Sequence, residues 1–231
     1  MLPPVNWRQY AFPAAILGLA AIAGIVVLIV NSGGDDGGKS SACRDVKQPQ
    51  ARPAEKRKRP TLQLSQSKTY RATVKTSCGT FVITLDSKNA PKTGGSFVTL
   101  ARDGFYNGLT FHRIAPGFVI QGGDPAGNGT GGPGYKVREA PPKDIVYSNG
   151  IVAMAKGGDE PAGTSGSQFF VVTGKGTNLP PDYAVLGRVD TGLNVATEIE
   201  KLGTGQDGPP SRPVVIDKVT ISETPNGAPG Q

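Results

Sequence analysis

Histidine occurs once in this chain and cysteine twice, so sites that need several of either are nearly excluded. Cys43 and Cys78 lack CxxC spacing, which argues against zinc and thioredoxin-type readings. No metal and no cofactor is expected. Aromatic residues make up only 6% of the chain, and none interrupts the basic run Lys56-Arg57-Lys58-Arg59. Stacking of bases needs such rings, so no nucleic-acid partner is expected and the run reads as a solvated spacer. A hydrophobic content of 37% is too low for a polytopic membrane protein but suffices for one core. Repeats of solenoid length are absent. So is GxSxG, which leaves a hydrolase built on Ser165 or Ser167 with His112 without a nucleophile elbow. Gly127 to Gly132 formally matches GxGxxG, but Pro133-Gly134 stands where a helix would have to open.

One long apolar run is present. Residues 11–30 are all apolar, Gly or Pro, with Trp7 and Tyr10 at the position of an interfacial aromatic belt. About 20 such residues span a bilayer as a helix. A secretory signal has a shorter apolar core and a closer cleavage site, so residues 11–30 read as an uncleaved signal anchor behind a short segment 1–10. Arg8 precedes the run, and Lys39, Arg44 and Lys47 follow it. That count alone would put the C-terminal side inside, but long domains translocate largely regardless of charge. The domain is expected outside the cell membrane, single-pass. Residues 31–69 are poor in aromatic and β-branched residues and read as a disordered basic linker, with a reach of roughly 35 Å.

The 33 glycines cluster between apolar runs, which marks turns rather than low complexity. From Tyr70, β-rich runs Tyr70–Thr76 and Thr80–Leu85 flank Ser77-Cys78-Gly79 as a hairpin. Pro91–Arg102 suits a helix, although Gly94 and Gly95 weaken it. Short strands follow over 109–114, 118–121, 151–155, 168–173 and 184–189, then a helix over 193–202 and a strand over 214–222. Many short strands with two helices suggest an all-β, closed antiparallel barrel. The domain is placed at 70–222 and a flexible tail at 223–231.

Within that domain, Phe111 to Asp124 reads FHRIAPGFVIQGGD and resembles the cyclophilin signature FHRxxPGFxxQGGD. Asn128 to Gly132, Met154-Ala155 and Gly166 to Phe170 agree in order and spacing, as do Ala90 to Thr93 and Gly104 to Tyr106. The resemblance implies an eight-stranded antiparallel barrel capped by two helices, acting as a peptidyl-prolyl cis/trans isomerase on proline-containing polypeptides. The same groove could instead serve a proline-binding chaperone module. By resemblance, Arg113, Gln121 and Phe118 are catalytic. Val119, Phe170 and Leu179 join Phe118 in the proline pocket. Ala155, Lys156 and Gly157 offer backbone to substrate, Gln168 walls the pocket, and Gly129 lies in a flanking loop. His112 is implied to be a structural hydrogen-bonder. Tyr183 and Asn178 stand where many members carry histidine and tryptophan, so Tyr183 takes the substrate-facing place and tight cyclosporin binding is not expected. The domain is expected to be monomeric.

Cys43 and Cys78 are expected to form a disulfide. Cys78 lies in the hairpin turn, where a thiol would be exposed, and an exported domain meets oxidising conditions. Two unrelated free thiols are the alternative if the domain is cytoplasmic.

Overall fold

The computed structural model describes residues 43–53, 55–175 and 177–226. The membrane span expected over 11–30 lies outside them. No helix among the described residues is long and apolar enough to cross a membrane.

The elements run β1 (Lys68–Thr76), β2 (Gly79–Leu85), α1 (Pro91–Arg102), β3 (Thr110–Ala115), β4 (Val119–Asp124) and β5 (Val137–Arg138). They continue with β6 (Ile151–Met154), β7 (Thr164–Ser165), β8 (Phe169–Val172), β9 (Val185–Thr191), α2 (Leu193–Glu200) and β10 (Ile216–Pro225). β5 and β7 pair with each other. The other eight strands form one sheet in the order β10-β1-β2-β9-β6-β8-β4-β3.

The expected closed barrel is not formed. β3 and β10 remain the edges of a curled sheet, and two isolated bridges, Thr110–Val215 and Ile114–Gly208, stitch the seam. The reason is local. The chain facing β3 along that seam carries Pro209, Pro210 and Pro213, and proline cannot donate to a ladder.

The concave face of the sheet holds the main core. Phe81, Ile83, Phe111, Ile120 and Phe169 meet Phe97 from α1 and Ile199 from α2 there. Phe169 stands edge-on to Phe97, Tyr106 and Phe111, each at 5.9 Å between ring centres, the arrangement that aromatic quadrupoles favour.

The linker expected to be disordered is ordered over its described part. Residues 43–53 and 55–67 form a strap with little apolar content but many anchors. Cys43 is joined to Cys78, and Arg44 donates its N–H to Ser77 O at 2.9 Å. Cys78 is buried rather than exposed in its turn. Arg44 pairs with Asp217, and Asp45 with Arg212. Arg57, from the run read as a solvated spacer, pairs with Asp103 at 3.0 Å and lies over the Phe105 ring. Lys56, Lys58 and Arg59 are exposed. At the other end, β10 reaches Pro225, so the tail begins later than expected. Glu223 accepts from Lys68 and Arg102 across that strand.

The strap also explains the two glycines of α1. A methyl on Gly94 would stand 2.4 Å from the buried Leu64 side chain, and one on Gly95 would stand 2.0 Å from Leu62 O. Helix propensity alone favours Ala over Gly by about 1 kcal/mol. Here the backbone contact wins, because a main-chain carbonyl cannot rotate away as a side chain can. Gly95→Ala is therefore expected to destabilise the fold, by roughly 1–3 kcal/mol as for other overpacked sites. A urea unfolding midpoint at or above the wild-type value would contradict this.

Candidate active site

The site lies on the convex face of the same strands, and a bulge aims its arginine there. Phe111 pairs with Gly122 and Arg113 with Gln121, so the register shifts between them and His112 has no partner in the ladder. Side chains alternate faces along a strand, and one extra residue reverses the alternation. Phe111 and Ile114 therefore point into the main core, while Arg113 and Ala115 face outward. Without the bulge, Phe111 and Arg113 would share a face.

From Arg113 the row continues across the sheet. Arg113 pairs with Gln121, Gln121 with Phe170, and Phe170 with Ala153. The polar end of this row is a directed hydrogen-bond chain. Arg113 Nη1 donates to Gln121 Oε1 at 2.8 Å, and Gln121 Nε2 donates to Gln168 Oε1 at 2.9 Å. Gln168 Nε2 then donates to Gly129 O and Gly131 O, each at 2.9 Å. The two ends fix both amide orientations. A guanidinium can only donate and a carbonyl can only accept, so each glutamine has one consistent direction.

The apolar end forms a second cluster, separate from the main core. Val119, Phe170 and Val172 are buried there, with Phe118, Ala155, Leu179 and Tyr183 packed around them. The Tyr183 ring stands edge-on to Phe170 at 5.4 Å and to Tyr147 at 6.1 Å. Asn178 is exposed beside Leu179. A cavity of about 270 Å³ adjoins the row, walled by Gln121, Gly129, Gly131, Ala155, Glu160 and Gln168.

The structure thus brings Arg113, Phe118, Val119, Gln121, Gly129, Ala155, Gln168, Phe170, Leu179 and Tyr183 to one groove. Residues 155–157 sit differently from expectation. β6 stops at Met154 because a turn follows, with Glu160 N–H bonded to Gly157 O at 3.2 Å. Ala155 N–H bonds Gln168 O, and Gly157 N–H bonds the Glu160 carboxylate. Those two donors are used within the protein. Lys156 turns its amine inward, to Asp182 at 2.9 Å and to Glu160 O at 3.0 Å. Neither ring nitrogen of His112 meets strict hydrogen-bond geometry, although the Thr110 carbonyl is near enough to act on the ring. Burial pushes its pKa below the ordinary imidazole value, against the opposing pull of Asp124 and the Thr110 carbonyl. Ser165 and Ser167 donate to Val137 O and Gly123 O, so no serine–histidine pair exists.

Three supporting residues escaped the sequence reading. Asp124 is buried, and its carboxylate accepts N–H bonds from Ala126, Asn128 and Gly129 at 2.8, 3.0 and 2.5 Å. It holds the loop whose carbonyls end the hydrogen-bond chain. A methyl on Gly131 would stand 2.1 Å from that carboxylate, so only glycine lets the loop close over it. Asp124 ends the signature block, and its Asx-type spacing to Ala126 was the available signal. Tyr147 Oη donates to Tyr183 O at 2.6 Å and accepts from Tyr183 N–H at 3.1 Å. Burial pushes the Tyr147 phenol up to about 12 and raises that of Tyr183, so both stay neutral at neutral pH. Asp207 forms an ion pair with Arg113 at 2.6 Å. Neither Tyr147 nor Asp207 stands in any motif.

Comparison with known proteins agrees with this geometry. A family model described as cyclophilin type peptidyl-prolyl cis-trans isomerase/CLD matches residues 71–221. A peptidyl-prolyl cis-trans isomerase of Helicobacter pylori is 41% identical over 138 residues, 58% of this chain and 83% of that protein. Peptidyl-prolyl cis-trans isomerase A of Mycobacterium tuberculosis is 38% identical over 172 residues, 67% of this chain and 93% of that protein. The crystal structure of a cyclophilin type isomerase from Cryptosporidium parvum aligns with a TM-score of 0.61 and 29% identity, covering 68% of this chain and 99% of that one. The chain belongs to the cyclophilin-type family, the peptidyl-prolyl cis/trans isomerases of proline-containing polypeptides.

Proposed function

We propose that the groove performs this isomerisation with Arg113 as electrophilic donor, Gln121 as its partner and Phe118 as part of the proline seat. The barrier to rotating an X-Pro amide is about 18–20 kcal/mol and comes from resonance between nitrogen and carbonyl. Twisting the bond returns the lone pair to nitrogen. A fixed donor aimed at that nitrogen binds the twisted amide better than the planar one, and only such differential binding lowers the barrier. No nucleophile or base is needed.

The observation that carries the reading is the meeting of two unlike ends in one row. The Arg113–Gln121–Gln168 chain abuts the pocket of Phe118, Val119, Phe170 and Leu179. A prolyl ring seated in the apolar end would bring its nitrogen toward the guanidinium. Neutral Tyr183 borders the proline seat beside Phe170, and the cavity beside Gln121 can take a neighbouring side chain. We place this activity in a monomeric domain outside the cell membrane, tethered by the apolar run 11–30, where it would assist protein folding. The run itself and the Cys43–Cys78 bond support that placement.

Titrating the ¹⁵N-labelled protein with a short proline peptide tests the groove assignment. Amide shifts are expected at Gln121, Phe170 and Tyr183, and none at α1 on the opposite face. Shifts centred on α1 would contradict it.

A further inference from the structure

Arg113 is held from two sides, and the second holder is Asp207. Its carboxylate takes Arg113 Nε–H on one oxygen at 2.7 Å and Nη2–H on the other at 2.6 Å. This two-point contact matches the fork of a guanidinium. Gln121 bonds Nη1 alone. One hydrogen bond fixes a distance but leaves the guanidinium plane free to turn about it, whereas three contacts on two sides fix the plane.

The backbone delivers the carboxylate to this place. Gly208, the next residue, donates to Ile114 O at 3.1 Å and accepts from Ile114 N–H at 2.7 Å. The bridge is antiparallel, so Asp207 stands opposite Ala115, on the outward face that Ala115 shares with Arg113 and diagonal to the arginine, although 94 positions separate Asp207 from Arg113. The two side chains are 18% and 22% exposed, shielded from full screening yet open to the groove. At that exposure the pair is only partly screened, and its two-point geometry fixes the guanidinium plane.

We propose that Asp207 is a positioning residue, which orients the Arg113 guanidinium toward the substrate amide nitrogen; the inference rests on the role given above to Arg113. In steady-state assays on the full chain, Asp207→Ala is expected to lower kcat roughly tenfold with KM nearly unchanged, because the donor is needed most in the twisted state. Asp207→Asn should resemble Asp207→Ala, since its amide NH₂ opposes one guanidinium donor. Asp207→Glu, which keeps a carboxylate, should recover most of kcat. The Arg113 Nε–H proton signal should be sharp in the wild type and broadened by exchange in Asp207→Ala, with the circular dichroism spectrum unchanged. A kcat within about twofold of wild type for Asp207→Ala, beside an inactive Arg113→Ala, would overturn the inference alone. If both variants kept full activity, the Arg113 role would fall, and this inference with it.

Discussion

Arg113→Ala is expected to lower kcat/KM by roughly 10²–10³-fold, the usual cost of losing one preorganised donor, while the protein folds normally. The fold is spared because Arg113 sits on the convex face, outside the main core, and its partner Asp207 can turn toward solvent. Activity is not spared, because the amine of Lys156, which borders the groove, is already held by Asp182 and the Glu160 carbonyl. Peptide isomerase kinetics with a circular dichroism spectrum would check both halves. Near-wild-type kcat/KM with an unchanged spectrum would remove Arg113 from the mechanism.

Reduction of Cys43–Cys78 is expected to give the largest loss of stability. The bond joins positions 35 apart, and closing such a loop is worth about 3–4 kcal/mol in the chain-entropy model. The strap it anchors has few buried apolar groups of its own, Leu64 being one, so its order depends on tethering. Urea unfolding with and without reductant should show a lower midpoint in the reduced protein, and amide exchange at Arg57 and Leu64 should quicken. An unchanged midpoint would show that the strap holds itself. The same bond bears on location. Alkylation of protein taken directly from cells should find no free thiol before reduction, and two would contradict the extracytoplasmic placement.

Much of the fold was legible in local pattern. α1 begins and ends where Pro91 and Arg102 mark it, and the β1–β2 hairpin follows from alternation around Ser77-Cys78. What was not legible depends on contacts between distant residues. Gly94 and Gly95 looked like helix weakeners because the strap they accommodate is set by packing, not by neighbours in sequence. The strap looked disordered because composition reports buried area, whereas a disulfide, ion pairs and single backbone bonds hold it. The open seam was hidden because prolines 209, 210 and 213 oppose β3 only in three dimensions.

The site divides in the same way. The signature block marked Arg113, Phe118 and Gln121, but gave no sign that a bulge at His112 turns Arg113 outward. Tyr147 and Asp207 lie far from the block and were invisible. His112 drew notice as the one histidine, yet Ser165 and Ser167 donate to backbone carbonyls instead of to its ring.

The central claim is that this groove rotates X-Pro bonds rather than merely holding them. Two-dimensional exchange NMR on a proline peptide, with the full chain at catalytic concentration, measures that directly. Uncatalysed interconversion takes tens to hundreds of seconds, too slow to give cross-peaks between cis and trans signals. Cross-peaks that appear with the wild-type protein and vanish with Arg113→Ala are the expected result. Peptide signals that shift on binding but show no exchange would contradict it and leave a binding module.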